Sequence, residues 1–219
     1  MFLGIYWISI LKYAEWVNIE DHNRIRSFTC SLSHSLTECQ LSLVDSEHLN
    51  YLENAMSKLF YGVSSQKDMV THIRRACELV RSENVPDAMN LLIGTCCAET
   101  GLCTVRDIHF AQGKGPFQFD INRFFDVKMR TLNEKPILAD KIKEETGIDL
   151  ARVDYSMLDY APLVGAIMCR LGYLFVPMPI PKTLRGQALY WKTYWNSVDG
   201  KGTPEHYEAM VNKHWGGVV

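Results

Sequence analysis

The sequence predicts a mainly α fold, and three observations predict it. Apolar residues recur at helical spacing almost throughout, the helical stretches carry cap and stop residues, and 47% of the 219 residues are hydrophobic, enough to fill the core of one good-sized domain. In chain order, the opening MFLGIYWISILKY is apolar over about a dozen residues, short of the roughly 20 needed to span a bilayer. It lacks a basic leading region, and no small-residue cleavage site precedes Lys12, Glu15 and the charged stretch 20–26. It reads as an amphipathic or buried first helix that packs on the domain or on a partner protein, with a signal anchor as the rival reading. Residues 27–46 are Ser/Thr-rich with the weakest periodicity, as in a linker or irregular excursion. Leu49, Leu52, Met56, Leu59 and Phe60 then stripe a helix over 46–61, closed by Gly62. Residues 1–62 are therefore expected to form an N-terminal helical and irregular extension suited to docking, and 63–219 the main domain.

Within that domain, Ser65 and Asp68 resemble a capping box ahead of Met69, Ile73, Ala76 and Val80, a helix to about Arg81. Asn84 as cap and Pro86 in the first turn open the next helix, striped by Met89, Leu92, Ile93 and Cys96 and ended by Gly101. From 104 to 130 the pattern breaks up, with Gly113, Gly115 and Pro116 crowding a turn. Residues 136–145 form a short helix stopped by Gly147. Asp159, with Pro162 in the first turn, opens the most buried helix, in which Ala161, Val164, Ile167, Met168 and Leu171 run up to Tyr173. The alternating prolines of 175–181 forbid helix and favour extended geometry. They cross to a Trp-rich helix striped by Leu184, Ala188, Trp191 and Trp195, and a last helix starts at Thr203 and Pro204.

One carboxylate stands out. Glu99 lies in the last turn of a segment almost uncharged from Met89 onward, where desolvation and the negative helix end both favour its protonated form. Position alone leaves two readings open, a solvated helix-end glutamate and a buried general acid. Downstream stands a glycine-flanked turn, Gly115-Pro116-Phe117-Gln118.

The order Ala98-Glu99-Thr100-Gly101, then Gly115-Pro116-Phe117-Gln118, resembles the lysozyme-like superfamily of lytic transglycosylases and goose-type lysozymes. In that family a Glu-Ser/Thr-Gly turn supplies the acid and a Gly-x-x-Gln segment lines the sugar cleft, so the resemblance implies Glu99 as catalytic residue and Gly115 and Gln118 on the cleft. Tyr190 to Asn196, followed by Gly200, looks like a variant of the family's Tyr-Asn-x-Gly element, although Trp195 separates Tyr194 from Asn196. From about Gln66 to Trp215, including the run Cys169 to Tyr173, the chain resembles a phage-encoded member carried in the virion or tail. The resemblance implies a lysozyme-like domain that is made in the host cytoplasm and acts on peptidoglycan at the bacterial cell wall, with other tail or virion proteins as partners. Phe117, Tyr173, Tyr194 and Asn196 are the further candidates for contact with the glycan, although packing also accounts for Phe117 and solvent for the tyrosine hydroxyls.

A single glutamate can protonate the leaving oxygen and then, as carboxylate, take the proton of the sugar's own 6-hydroxyl, as in lytic transglycosylases. Hydrolysis calls instead for a second carboxylate to hold water, for which Asp107 and Asp120 are candidates; each also reads as a turn or cap residue. His109 is a candidate for titration in the cleft or a solvated loop histidine. The rival from another class is a structural tail or hub protein of lysozyme-like shape without turnover, and a general helical adaptor would leave the GPFQ turn unexplained.

Composition excludes other classes. A net charge of −2 provides no footprint for nucleic acid. The 11% of aromatic residues, five of them Trp, suit a glycan strand and suit core packing equally. Seven cysteines, at 30, 39, 77, 96, 97, 103 and 169, contain no Cys-x-x-Cys pair, and with scattered His22, His34, His72 and His109 they match no metal spacing. They read as buried free thiols folded in a reducing cytoplasm, and neither metal nor cofactor is expected.

Overall fold

A computed structural model describes residues 59–81, 85–106, 113–197 and 200–216. The expected first helix, the stretch 27–46, the helix over 46–61 as far as residue 58, the Asn84 cap, Asp107 and His109 lie outside the described residues. Those described are mainly helical: α1 (Gln66–Leu79), α2 (Val85–Thr100), α3 (Ile121–Glu134), α4 (Pro136–Thr146), α5 (Pro162–Leu174), α6 (Leu184–Trp191) and α7 (Pro204–Trp215). Short 3-10 turns at Leu150–Arg152 and Tyr155–Asp159 lead into α5, and a π-helical turn at Lys192–Asn196 extends α6. An isolated antiparallel bridge joins Lys114 to Phe119.

Local chemistry explains the ends of these helices. The Ser65 side chain accepts from Asp68 N–H at 3.0 Å and caps α1, while the Asp68 carboxylate turns to Ser64 N–H at 2.9 Å. Gly147, at φ +74°, ends α4 in the left-handed conformation that glycine adopts without a steric penalty. Leu59 and Phe60, expected at the end of a helix, are not helical, and Tyr61 and Gly62 form a turn. The Phe60 N–H donates instead to the Cys103 carbonyl at 3.0 Å, which pulls this segment onto the end of α2.

Two helices form the centre. α5 packs against α1, α2 and α3, and ten of its thirteen residues are buried. α2 is met by α1, α5, α6 and α7, so every residue from Leu91 to Cys97 is buried and its apolar surface goes nearly all the way round. Gly94 permits the closest approach, since a Cβ there would lie 1.8 Å from the Tyr207 hydroxyl oxygen. Cys77, Cys96, Cys97, Cys103 and Cys169 are free and buried, and burial pushes the Cys77 thiol up to about 12.

The irregular reading of 104–130 is corrected by α3. Asp120 caps it, accepting from Arg123 N–H at 2.8 Å, and Phe124, Val127 and Thr131 turn one narrow face inward. Asp159 does not cap α5 either. Ala161 holds the cap position, and the carboxylate of Asp159 reaches the Lys114 ammonium at 2.7 Å and Gly115 N–H at 3.1 Å. No helix among the described residues is long and apolar enough to cross a membrane.

Candidate active site

Glu99 ends α2 half-buried, with Oε1 accepting from the indole Nε1–H of Trp191 at 3.0 Å. Trp191 closes α6 and is 1% exposed, its ring tilted against that of Tyr207 of α7 with the centres 5.5 Å apart. An indole N–H buried this deeply needs an acceptor, and the helix-end carboxyl supplies it. Burial pushes the Glu99 carboxyl up to about 7, against the pull of the Trp191 bond and of the Arg123 guanidinium, which favour the charged form. An acid with that midpoint is half protonated at neutral pH, as proton donation to a leaving group requires.

The turn after Glu99 is held under strain. Gly101, Leu102 and Cys103 stand at φ +57°, +54° and +70°, and a left-handed backbone costs a non-glycine residue about 1–2 kcal/mol. The Thr100 hydroxyl lies 2.8 Å from the Pro116 carbonyl and 3.1 Å from that of Cys96, and it accepts from Cys103 N–H at 3.3 Å. Thr100 thereby ties the Glu99 turn directly to the GPFQ turn. Thr100→Val, equal in size but without the hydroxyl, is expected to lower stability by about 2 kcal/mol, read from the urea midpoint, because buried polar groups lose their partner.

Around that tie, Gly115 takes φ +75°, and a Cβ on it would meet the Leu158 carbonyl oxygen at 2.6 Å. The Phe117 carbonyl accepts from Trp195 Nε1–H at 3.1 Å, and the Phe119 ring meets Trp195 edge-on at 4.9 Å. The Gln118 side-chain amide donates to Tyr61 Oη at 3.2 Å and to the Gly115 carbonyl at 3.0 Å, so it pins its own loop.

The remaining expected site residues divide. Phe117 is fully buried and Tyr173 is 3% exposed, with its hydroxyl 2.8 Å from Thr95 Oγ1; both are packed into the core. Tyr194 is 36% exposed and packs on Tyr190 at 4.7 Å. Asn196 Oδ1 accepts from Lys192 Nζ at 2.9 Å, in a loop where Gly202 comes so near that its Cβ would stand 2.4 Å from the Trp191 ring. Asn196 thus borders Gly202, the residue that packs on Trp191, the donor to Glu99. Asp120, a candidate second carboxylate, is half-exposed as the α3 cap, with Oδ2 3.9 Å from Arg123.

Arg123 and Trp191 were not among the expected site residues. The Arg123 guanidinium stacks over Trp195, 4.7 Å from the ring centre, and borders a hollow of about 140 Å³ that Asp126, Arg130, Tyr173 and Tyr194 also line. A wider hollow of about 410 Å³ between Lys143, Arg152 and Met157 lies at the C-terminal end of α4, and Glu99 lines neither. Sequence held one clue to Trp191, its place on the buried stripe of α6; its acceptor stands 92 residues earlier in the chain.

Trp191→Phe is expected to move the titration of the Glu99 carboxyl, followed by carbon NMR, to higher pH, because the lost donor had favoured the carboxylate. Comparison with protein-family models, with curated proteins and with solved structures finds no match.

Proposed function

We propose that this chain cleaves the glycan strand of peptidoglycan through Glu99 as general acid, in a lysozyme-like domain of the lytic transglycosylase and goose-type lysozyme kind. The observation that carries the reading is the Glu99 carboxyl itself, half-buried at a helix end, bonded to Trp191 and pushed up to about 7 by burial. The tie between Thr100 and Pro116 adds support, because it couples the two motifs on which the family resemblance rests. Glu99 would protonate the glycosidic oxygen, and the Trp191 N–H and Arg123 charge would then steady the carboxylate left behind. That carboxylate is set to take back a proton, either from the sugar's 6-hydroxyl or from water. A virion or tail-associated lysin that opens the cell wall is the setting that fits the phage-like resemblance.

The closed hydrogen bonding of Gln118 and the burial of Phe117 and Tyr173 favour a second reading, a structural tail or hub component that keeps the shape without turnover. Zymography on peptidoglycan decides between them: clearing by the wild-type chain supports the enzyme, and its absence at every pH from 5 to 8 supports the scaffold. Mass analysis of cleared material then separates anhydro ends, from transglycosylation, from reducing ends, from hydrolysis.

A further inference from the structure

The two arginines that border the 140 Å³ hollow are held in the same way. Arg123 lies over the Trp195 ring at 4.7 Å and Arg130 over the Phe175 ring at 4.1 Å. Seven residues apart on α3, they are rooted on one face of the helix, two turns from each other. A guanidinium stacked on a ring keeps its plane fixed and its N–H edge free to point outward, the geometry that grips a carboxylate with two parallel bonds. Nearby carboxylates leave much of that capacity open. Asp120 Oδ2 stands 3.9 Å from Arg123, beyond a hydrogen bond, and among the described residues the Arg123 guanidinium donates to no side chain. Arg130 bonds Glu134 through Nε at 3.2 Å, with Asp126 at 3.9 Å from Nη1. Both arginines keep access to solvent, at 26% and 39% of the side chain.

We propose that this face of α3 is a subsite for the carboxylates of the peptide stem that peptidoglycan carries on its sugar, a step that rests on the glycan reading of Glu99. Two guanidinium groups on one face select the ligand class: an oligopeptide with more than one carboxylate can engage both. Arg123 is also the cation whose field acts on Glu99, which links this face of α3 to the acid. Tyr194, exposed at the rim of the same hollow, adds a hydroxyl for the peptide backbone.

The test uses the full chain carrying Glu99→Gln, so that ligand is bound without turnover, and titrates it by calorimetry and Trp fluorescence. The probes are the N-acetylated disaccharide of peptidoglycan with its peptide stem and the same disaccharide after an amidase has removed the stem. The stem-bearing probe is expected to bind at least about tenfold more tightly, and Arg130→Gln to abolish most of that preference. Arg130→Lys, which keeps the charge and loses the fork, is expected to recover only part of it. Thermal melts show that each variant is folded. Equal affinity for the two probes, or a preference untouched by Arg130→Gln, overturns the subsite. Failure of both probes to bind overturns it too, and the wild-type zymogram tells how far the failure reaches: with clearing intact only the subsite falls, and without clearing the glycan reading falls with it.

Discussion

Glu99→Gln is expected to end peptidoglycan clearing and, at the same time, to make the chain more stable above neutral pH. Gln keeps the volume and the acceptor oxygen for Trp191 but carries no transferable proton, and loss of a general acid commonly costs a factor of 10² to 10⁴ in rate. The stability gain follows from the same burial. Below pH 4.5, the ordinary value for this group, the carboxyl is protonated in the folded and unfolded chains alike and pH has no effect through it. Between 4.5 and about 7 the unfolded chain releases the proton while the folded chain retains it, so wild-type stability falls as pH rises. Above about 7 the loss is complete, on the order of 3 kcal/mol. The variant lacks that slope. Melting temperatures for the two proteins should coincide near pH 4 and separate by roughly 5 °C or more at pH 8 in favour of Gln. Parallel melting curves across that range would mean that Glu99 is solvated, and the acid would lose its physical basis. In the active wild type, the clearing rate should decline above about 7 as the acid form is depleted.

Gly94→Ala is expected to destabilise the fold by about 3 kcal/mol, although alanine normally improves a helix by about 1 kcal/mol over glycine. The added methyl would overlap the Tyr207 hydroxyl at 1.8 Å and the ring behind it at 2.2 Å. Tyr207 has no room to yield, since it is fully buried, bonded to the Leu91 carbonyl at 3.3 Å and packed against the Trp191 ring. Relief requires α7 to move off α2, which also disturbs Trp191 and through it Glu99. Urea denaturation should show the lower midpoint, and the Glu99 titration should shift with it. A midpoint at or above that of the wild type would show that α7 is not docked on α2 as described.

Legibility in the sequence followed the range of the interaction. Ser65, Gly101, Gly147, Pro162 and Thr203 mark helix ends because a cap or stop acts within one turn of chain, and these boundaries stand within a residue or two of where local chemistry places them. α3 escaped notice because the two glycines and the proline before it read as the start of a long irregular loop. Its own inward stripe of Phe124, Val127 and Thr131 is narrow, beside exposed Ile121, Phe125 and Met129 that blur the period. Asp159 looked like a helix cap and is the anchor of a turn 44 residues earlier.

The helical class of the domain and the weakly charged surroundings of Glu99 were present in the order of residues alone, because hydrophobic spacing and capping are properties of neighbours in the chain. Which groups meet Glu99 was decided by packing. Trp191 arrives on α6 and Arg123 on α3, and the fold also buries Phe117 and Tyr173 rather than leaving them open to a sugar. Desolvation and hydrogen bonding depend on distances across the fold, which chain order does not specify; the acid strength of Glu99 is therefore a property of the packed domain.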